Sequence, residues 1–403
     1  MRDTYGTEPV RDEMFSILET YIPWKGRTEQ VQIWDGDGRI VAEDLRAGYS
    51  LPNRPTSAFD GIAVRFSDFT SGIPDTSAWK GGTDYVFSNT GVAIPDAFDT
   101  VIAIEDVVME AGGALHLLSC PQTWGEYVTP VGSQIKKGEI LAHKGEMLHP
   151  ALLGVLAGAG YRSVPVYVRP RVLFLPTGDE LVPFGGGVPT GSNTESNSVM
   201  LWAMIRRFGG QPSVSRILED DPDVIKDALL CGIRQADLVI IGAGSSKGSK
   251  DFTMDVLDSI GTVIVRELGV APGKHCSLTM VEGVPVMGIP GPPGGAQLIS
   301  EYYIKAAIEL LVTGKIRPVP WVSAVLDGDI PSRPIDFMQG MELSVHKGIF
   351  HGVPWPVSGR TRAECRNDLK AICYCPKGRR FTKGETVKVE LPLAEIPVQR
   401  QEV

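Results

Sequence analysis

The spacing of apolar positions changes twice along the chain. Between about residues 170 and 315, short apolar runs alternate with amphipathic stretches. "RVLFLPTG" predicts a buried strand, "SNSVMLWAMIRRFGG" a helix closed by glycines, and "SVSRILE" a strand. "DDPDVIKDALLCGIRQA" predicts a helix with Asp221 as N-cap and Pro222 in its first position, and "DLVIIGAG" a wholly apolar strand. Then "FTMDVLDSIG" reads as a helix, "TVIVRELG" and "VPVMGIPG" as strands, and "GGAQLISEYYIKAAIELLVTG" as a long helix ending at Gly314. Such alternation implies βαβ crossovers and a mostly parallel sheet covered on both faces, the three-layer core of an α/β multidomain chain.

The flanks follow other rules. Arg11 to Ile22 has helical spacing, after which the runs become short and extended. From Ser50 to about Pro130 the chain is rich in Gly, Pro and Thr, and "DTVIAIEDVVME" and "GALHLLS" alternate like strands, which predicts a small β-rich insertion. A helix is expected at "HPALLGVLAGAG". Beyond Lys315, runs such as "KAICYCPKG" and "GETVKVELP" predict a C-terminal β domain of roughly 85 residues. The expected division is therefore 1–50 with 130–169 as a discontinuous N-terminal domain, 51–129 as an inserted β-rich domain, 170–315 as the α/β domain, and 316–403 as the C-terminal β domain.

Composition changes this picture only by exclusion. With 403 residues, 43% of them hydrophobic and 22% charged, the chain can build several cores. A net charge of -9 argues against broad binding to nucleic acid or to an anionic membrane. The opening "RDTYGTEPVRDEM" lacks the features of a signal peptide, and no run is long and apolar enough to span a bilayer, so a cytoplasmic location is expected. The six cysteines include no C-x-x-C pair; Cys373 and Cys375 should share one face of a strand as reduced thiols.

Candidate chemistry gathers at the strand ends. In open α/β sheets, ligands bind beyond the carboxyl ends of the strands, where turns present N–H groups. Three turns qualify: "PTGDEL", "GAGSSKGSKD" and "IPGPPGGA". Small residues let the backbone approach an anion, Ser245 and Ser246 add hydroxyl donors, and Lys247 and Lys250 add charge. The outline is a phosphate or oxyanion cradle, although it matches neither the P-loop nor G-x-G-x-x-G. Asp179, Glu180 and Asp251 lie at the same ends and could converge on a divalent cation, while each has a competing role as a cap or turn former.

The run "TGDEL…SNSVMLWAMIRRFGG…LEDDPDVIKDAL…ADLVIIGAGSSKGSKDFT…LGVAPGKH…GIPGPPGGA" resembles the molybdopterin-binding domain of the molybdopterin molybdenumtransferases, the MoeA family that includes the gephyrin E domain. "LPNRPTSAFDGIAV" is similar to that family's S-A-M-D-G-Y-A signature, and "NTGVAIPDAFDTVIAIED" to its T-G-A-x-x-P-x-G-A-D-x-V-V segment. The resemblance covers nearly the whole chain in order. It implies a molybdopterin-binding α/β/α domain, an N-terminal helical and β region with an inserted β domain, a C-terminal barrel-like domain, and an elongated homodimer. It also implies hydrolysis of adenylylated molybdopterin, release of AMP, and insertion of molybdate or tungstate with the help of Mg2+.

By the same resemblance, Asp60, Glu180 and Asp251 would carry metal binding or acid and base work, in a cleft between the α/β domain of one subunit and the N-terminal part of its partner. Thr177, Gly178, Asp179, Gly242, Gly244, Ser245, Ser246, Lys247 and Gly248, with Pro272, Gly273 and Lys274, would hold phosphates or the oxyanion. Pro290, Gly291, Pro292, Pro293 and Gly294 would shape the pterin or nucleotide wall. Asn197 is expected either as a helix N-cap or as a ligand-binding residue. The chain departs from the family where P-G-N-P becomes Pro290-Gly291-Pro292-Pro293, where G-x-D-I becomes Gly132-Ser133-Gln134-Ile135, where the tyrosine of D-G-Y-A is Ile62, and where G-S-H becomes Gly359-Arg360-Thr361 ahead of a basic run to Arg366. The substrates expected are a pterin nucleotide and an oxyanion, with molybdoenzyme clients or other cofactor-biosynthesis proteins as further partners. Two alternatives stand beside the transferase: a non-catalytic carrier of the cofactor, and an adenylyltransferase acting on molybdopterin.

Overall fold

The computed structural model describes residues 8–111, 113–242, 252–356 and 371–392. They form two compact units, one of residues up to Thr28 together with Tyr167 onward, the other of Glu29–Val166. Among the described residues no helix is long and apolar enough to cross a membrane.

The larger unit is built on a six-stranded sheet. Its strands are β1 (Arg171–Leu175), β2 (Gln211–Val214), β3 (Leu238–Gly242), β4 (Thr262–Val265), β5 (Ser277–Val281) and β6 (Val284–Ile289), in the order β2-β1-β3-β6-β5-β4. β1, β2, β3 and β6 run parallel, whereas β5 is antiparallel to both neighbours. The sequence pattern missed β5. It is joined to β6 by the two-residue turn Glu282-Gly283, both residues at positive φ (50° and 79°), the geometry that suits a tight hairpin. The second expected strand, "SVSRILE", is shifted towards the N-terminus and ends at Val214.

Helices cover both faces, because the strands of β1 and β3 are apolar on each side. α1 spans Arg11–Tyr21, α2 Asn197–Arg207, α3 Pro222–Gln235 and α4 Phe252–Ile260. α3 and α4 bury Ile225, Leu229, Ile233, Met254 and Leu257 against Leu175, Val239, Ile241 and Val286. α2 packs on the opposite side with α5, a composite helix that starts as Pro293–Ile299, widens to a π turn at Ser300–Ile304, and continues as Lys305–Thr313. Gly314 ends it in the left-handed conformation at φ 72°, with its N–H on Leu310 O at 2.8 Å. Asp221 caps α3 as expected, its carboxylate accepting from the N–H groups of Asp223 and Val224 at 2.9 and 3.1 Å.

The chain then closes a five-stranded barrel from β7 (Trp321–Leu326), β8 (Asp336–His346), β9 (Ile349–Pro354), β10 (Ile372–Cys375) and β11 (Thr386–Glu390). The cyclic order is β8-β9-β7-β11-β10, with β10 returning to β8. Cys373 and Cys375 both join its apolar interior as free thiols. The barrel is tied to α1 and α5 by a buried ion pair. Arg11 donates twice from Nη2 to the Glu390 carboxylate at 2.6 Å, and Tyr302 Oη donates to the same carboxylate at 2.9 Å.

In the smaller unit, Gly61–Val64 is the fully buried middle strand of an antiparallel sheet with Val86–Ser88 and Thr100–Ala103. Gly61 is dictated by contact, since a Cβ there would stand 2.0 Å from the carbonyl oxygen of Ile102. The run "DTVIAIEDVVME", expected to alternate like strands, forms the strands Thr100–Ala103 and Val107–Met109 on either side of a 3-10 turn at Ile104–Asp106. Helix Pro150–Gly158 forms where expected and packs Leu152 and Leu156 against Val41, Leu148, Val164 and Val166.

Candidate active site

β1 and β3 are neighbours, and the chain leaving β1 passes to the β2 side before returning through α3 to β3. This is a topological switch, the place where turns diverge and leave room for a ligand. Thr177, buried directly after β1, donates from Oγ1 to Gly242 O at 2.6 Å and so clasps the first turn to the end of β3. Gly178 follows at φ 144°, and a Cβ there would meet Glu180 Oε2 at 2.8 Å. The missing side chain lets the Glu180 carboxylate lie against the backbone of the turn.

Asp179 accepts from the N–H of Asp220 at 3.0 Å, linking the turn after β1 to the one after β2. Burial pushes the Asp220 carboxyl up from its usual range. A hydrogen bond from the backbone of Asp179 opposes that rise, and the charges of Asp179 and Glu180 add to it. Asp220 was not among the expected site residues, although the acids of "LEDDPD" directly before a capped helix were its signal.

The third turn is braced from α2. Asn197 Nδ2 donates to Gly291 O at 2.9 Å, while its Oδ1 is buried without a partner. A carbonyl can only accept, which fixes the orientation of this amide. Asn197 therefore is not the N-cap: it is the first helical residue, Ser196 holds the cap position, and the N–H of Ser198 is taken by Glu195 Oε1 at 3.0 Å. The capping alternative is replaced by a brace on the Pro290–Pro293 turn. That turn opens α5, where Gly295 permits a close approach, since a Cβ on it would lie 3.1 Å from Pro290 and 4.0 Å from Gly273 N. Pro272 and Gly273 thus sit beside the same turn. Lys274 is engaged elsewhere: its ammonium meets Glu267 at 3.0 Å and Glu8 at 3.6 Å, and the bond to Glu267 raises its pKa. The group is half exposed, so this pairing is of the weak, exchangeable kind.

Beside the Gly178 turn lies a cavity of about 780 Å3, lined by Leu181, Phe184, Trp202 and Ile217 with Asp179 and Glu219. Its size and largely apolar lining with a few polar groups suit a small organic ligand. No local pattern announces it, because its walls come from three separate segments, 176–184, 195–202 and 214–219.

The expected residues Gly244, Ser245, Ser246, Lys247, Gly248 and Asp251 lie outside the described residues, which resume at Phe252. Asp60 belongs to the smaller unit, where its Oδ1 accepts from Thr90 N–H at 2.7 Å and from Thr90 Oγ1 at 3.1 Å. Among the described residues no group of three His, Cys, Asp or Glu side chains is arranged to hold a metal ion.

A mostly parallel α/β sheet with small-residue turns at its carboxyl rim, followed by a closed barrel and accompanied by a β-rich second unit, defines a multidomain α/β protein with a candidate ligand site, and comparison with known proteins makes the class specific. A family profile described as "MoeA N-terminal region (domain I and II)" matches residues 9–160, and one described as "Probable molybdopterin binding domain" matches residues 174–309. Similar curated proteins include the molybdopterin molybdenumtransferase of Haemophilus influenzae, 29% identical across 94% of this chain and 97% of its own length, and that of Bacillus subtilis, 26% identical across 91% and 90%. Among solved structures, a molybdopterin biosynthesis MoeA protein from Pyrococcus horikoshii shares the fold, with a TM-score of 0.77, 24% identity, and coverage of 96% of this chain and all of that one. The chain belongs to the MoeA family of molybdopterin molybdenumtransferases.

Proposed function

We propose that this chain is a transferase of molybdenum cofactor biosynthesis that inserts molybdate, or the isostructural tungstate, into adenylylated molybdopterin with release of AMP. The observation that carries this reading is the gathering of turns at the sheet's switch point: Thr177 holds Gly242 at 2.6 Å and Asn197 holds Gly291 at 2.9 Å. Water adds to the pyrophosphate link, the P–O–P bond breaks, AMP leaves with one phosphate and the pterin keeps the other; the two dithiolene thiols then bind the oxyanion substrate, and one of its oxides leaves as water with the two thiol protons. Backbone N–H groups of the rim, with Ser245, Ser246 and Lys247, would hold the phosphate oxygens against the charge that grows as the bond breaks. The carboxylates fit Mg2+, which takes hard oxygen ligands; Glu180, Asp251 and Asp60 would hold it, and when bound it would neutralise phosphate charge.

A homodimer belongs to this reading, with Asp60 of one chain serving the rim of another as the family resemblance implies. Phe184, Val188, Val199 and Trp202, 44–63% exposed on the larger unit, offer apolar surface for such a partner. The four-part domain division set out from the sequence, and a cytoplasmic setting, belong to the same reading.

The test is direct. Purified protein given adenylylated molybdopterin, Mg2+ and molybdate should release AMP, and Asp251→Asn should abolish release with little change in thermal midpoint. Tight pterin binding without AMP release would favour the carrier instead, and unchanged turnover in Asp251→Asn would remove that residue from the reaction.

A further inference from the structure

Next to Asp60 the smaller unit holds an aromatic pair that no site motif predicted. Strand Thr56–Ser57 pairs with Val128–Thr129, and the N–H of Ala58 donates to Tyr127 O at 2.8 Å. This pairing places the Phe59 and Tyr127 rings edge to face, centroids 4.7 Å apart at 71°. Phe59 is 50% exposed and Tyr127 41%, so the pair is fixed in geometry yet half open to solvent. The Phe59 backbone is held as well, because Ser57 Oγ donates to its carbonyl oxygen.

Tyr127 sits at φ 53°, in the left-handed region that a bulky side chain rarely adopts. Gly125, two residues earlier, is also at positive φ, so the turn has glycine available and still carries a tyrosine at its strained position. Strain of this kind persists at sites where the side chain serves a purpose that the backbone alone does not require. Asp60 follows Phe59 directly, and its carboxylate is oriented by Thr90. The pair thus presents half-exposed aromatic surface next to the one acid in this unit assigned to the reaction.

We infer that Phe59 and Tyr127 form a stacking shelf for the fused nitrogen heterocycle of the substrate, the adenine or the pterin, seated beside Asp60. The shelf rests on the reading that Asp60 serves the transferase reaction. Both rings are planar, weakly hydrated on their faces and rich in edge donors, and an aromatic side chain accepts such a face whatever the edge carries. Its edge-to-face packing holds the shelf rigid before the ligand arrives, which limits the ordering cost of binding.

The full chain would be titrated with AMP in one arm and with a free pterin in the other, in wild type, Phe59→Leu, Phe59→Trp and Tyr127→Gly. Phe59→Leu keeps apolar bulk and loses the flat face; Tyr127→Gly loses the ring while relieving the positive φ. The expected result is that one of the two ligands binds both Phe59→Leu and Tyr127→Gly about tenfold more weakly. Phe59→Trp should retain wild-type affinity, and Tyr127→Gly should melt no lower than wild type. The ligand affected identifies the ring. Unchanged affinity for both ligands in both variants would overturn the shelf, as would a loss that tracks a lowered melting point. AMP release by Asp60→Asn, measured separately, tests the underlying reading: wild-type release there removes Asp60 from the reaction, whereas the titrations test the shelf without any turnover.

Discussion

Glu390 and the acids of the sheet rim belong to the same unit and meet opposite fates. Glu390 is 3% exposed and receives two bonds from Arg11 at 2.6 Å, one from Tyr302 at 2.9 Å, and Lys388 at 3.4 Å. The Arg11 guanidinium also lies over the rings of Phe15, Tyr302 and Tyr374 at 5.4–5.7 Å. Burial, followed by the charge of Glu390, pushes the Tyr302 phenol far above its ordinary range, which keeps it a donor. At the rim, burial pushes the Asp220 carboxyl up, and the charges of Asp179 and Glu180 add to that rise instead of relieving it. An acid whose donors all come from the protein is structural. Acids that repel one another at a rim leave their charge to be answered by something that binds.

The sharpest way to break this contrast is at the structural end. Glu390→Ala leaves the buried Arg11 guanidinium with only the exposed Asp12 carboxylate, at 2.6 Å, in place of two carboxylates, which should cost about 3 kcal/mol and lower the thermal midpoint by several degrees in calorimetry. At the rim the effect should appear in chemistry: Glu180→Gln should slow AMP release a hundredfold or more, as a loss of about 3 kcal/mol in transition-state stabilisation, with the midpoint nearly unmoved. A third carboxyl tests the cost of a buried acid lacking Glu390's partners. Glu301, in the π turn of α5, is pushed by burial from its ordinary 4.5 up to about 7, opposed by the nearby charges of Lys305 and Arg207. The folded state then binds a proton that the unfolded state has lost, so this group's contribution to stability falls as pH rises from about 4.5 through about 7. Glu301→Gln should flatten that slope in denaturant titrations and stabilise the protein at pH 8 by on the order of 1–3 kcal/mol. Smallest of all, Lys274→Gln should leave the midpoint almost in place, because its exposed pairs with Glu267 and Glu8 are screened by water.

Much of the fold was legible because local rules and tertiary packing agreed. The wholly apolar "LVIIG" became the central strand β3, Asp221-Pro222 started α3, and Gly314 stopped α5. β5 was not legible, since Thr279 and Ser277 interrupt its apolar run and its partner lies only across the Glu282-Gly283 turn. The π turn at Ser300–Ile304 leaves no mark in sequence because all five of its residues are buried, so no polar face shows the shifted register. At the site, the turn chemistry of "TGDE" was readable, as the glycine and acids are needed at fixed offsets. Asn197 was left open between a cap and a ligand-binding residue because its position next to a helix start is the same whether its amide turns back to the helix or out to Gly291. Asp220, Phe59 with Tyr127, and the cavity beside Trp202 depend on contacts between distant segments, which periodicity does not encode.

The bond from Arg11 to Glu390 joins residues 379 positions apart. During synthesis the first helix is therefore made long before its counter-ion exists, and its guanidinium must stay hydrated while the sheet and most of the barrel are translated. A message cut short within the last barrel strand would yield a chain that keeps the Gly178 and Gly291 turns but lacks Glu390, the buried counter-ion of helix α1.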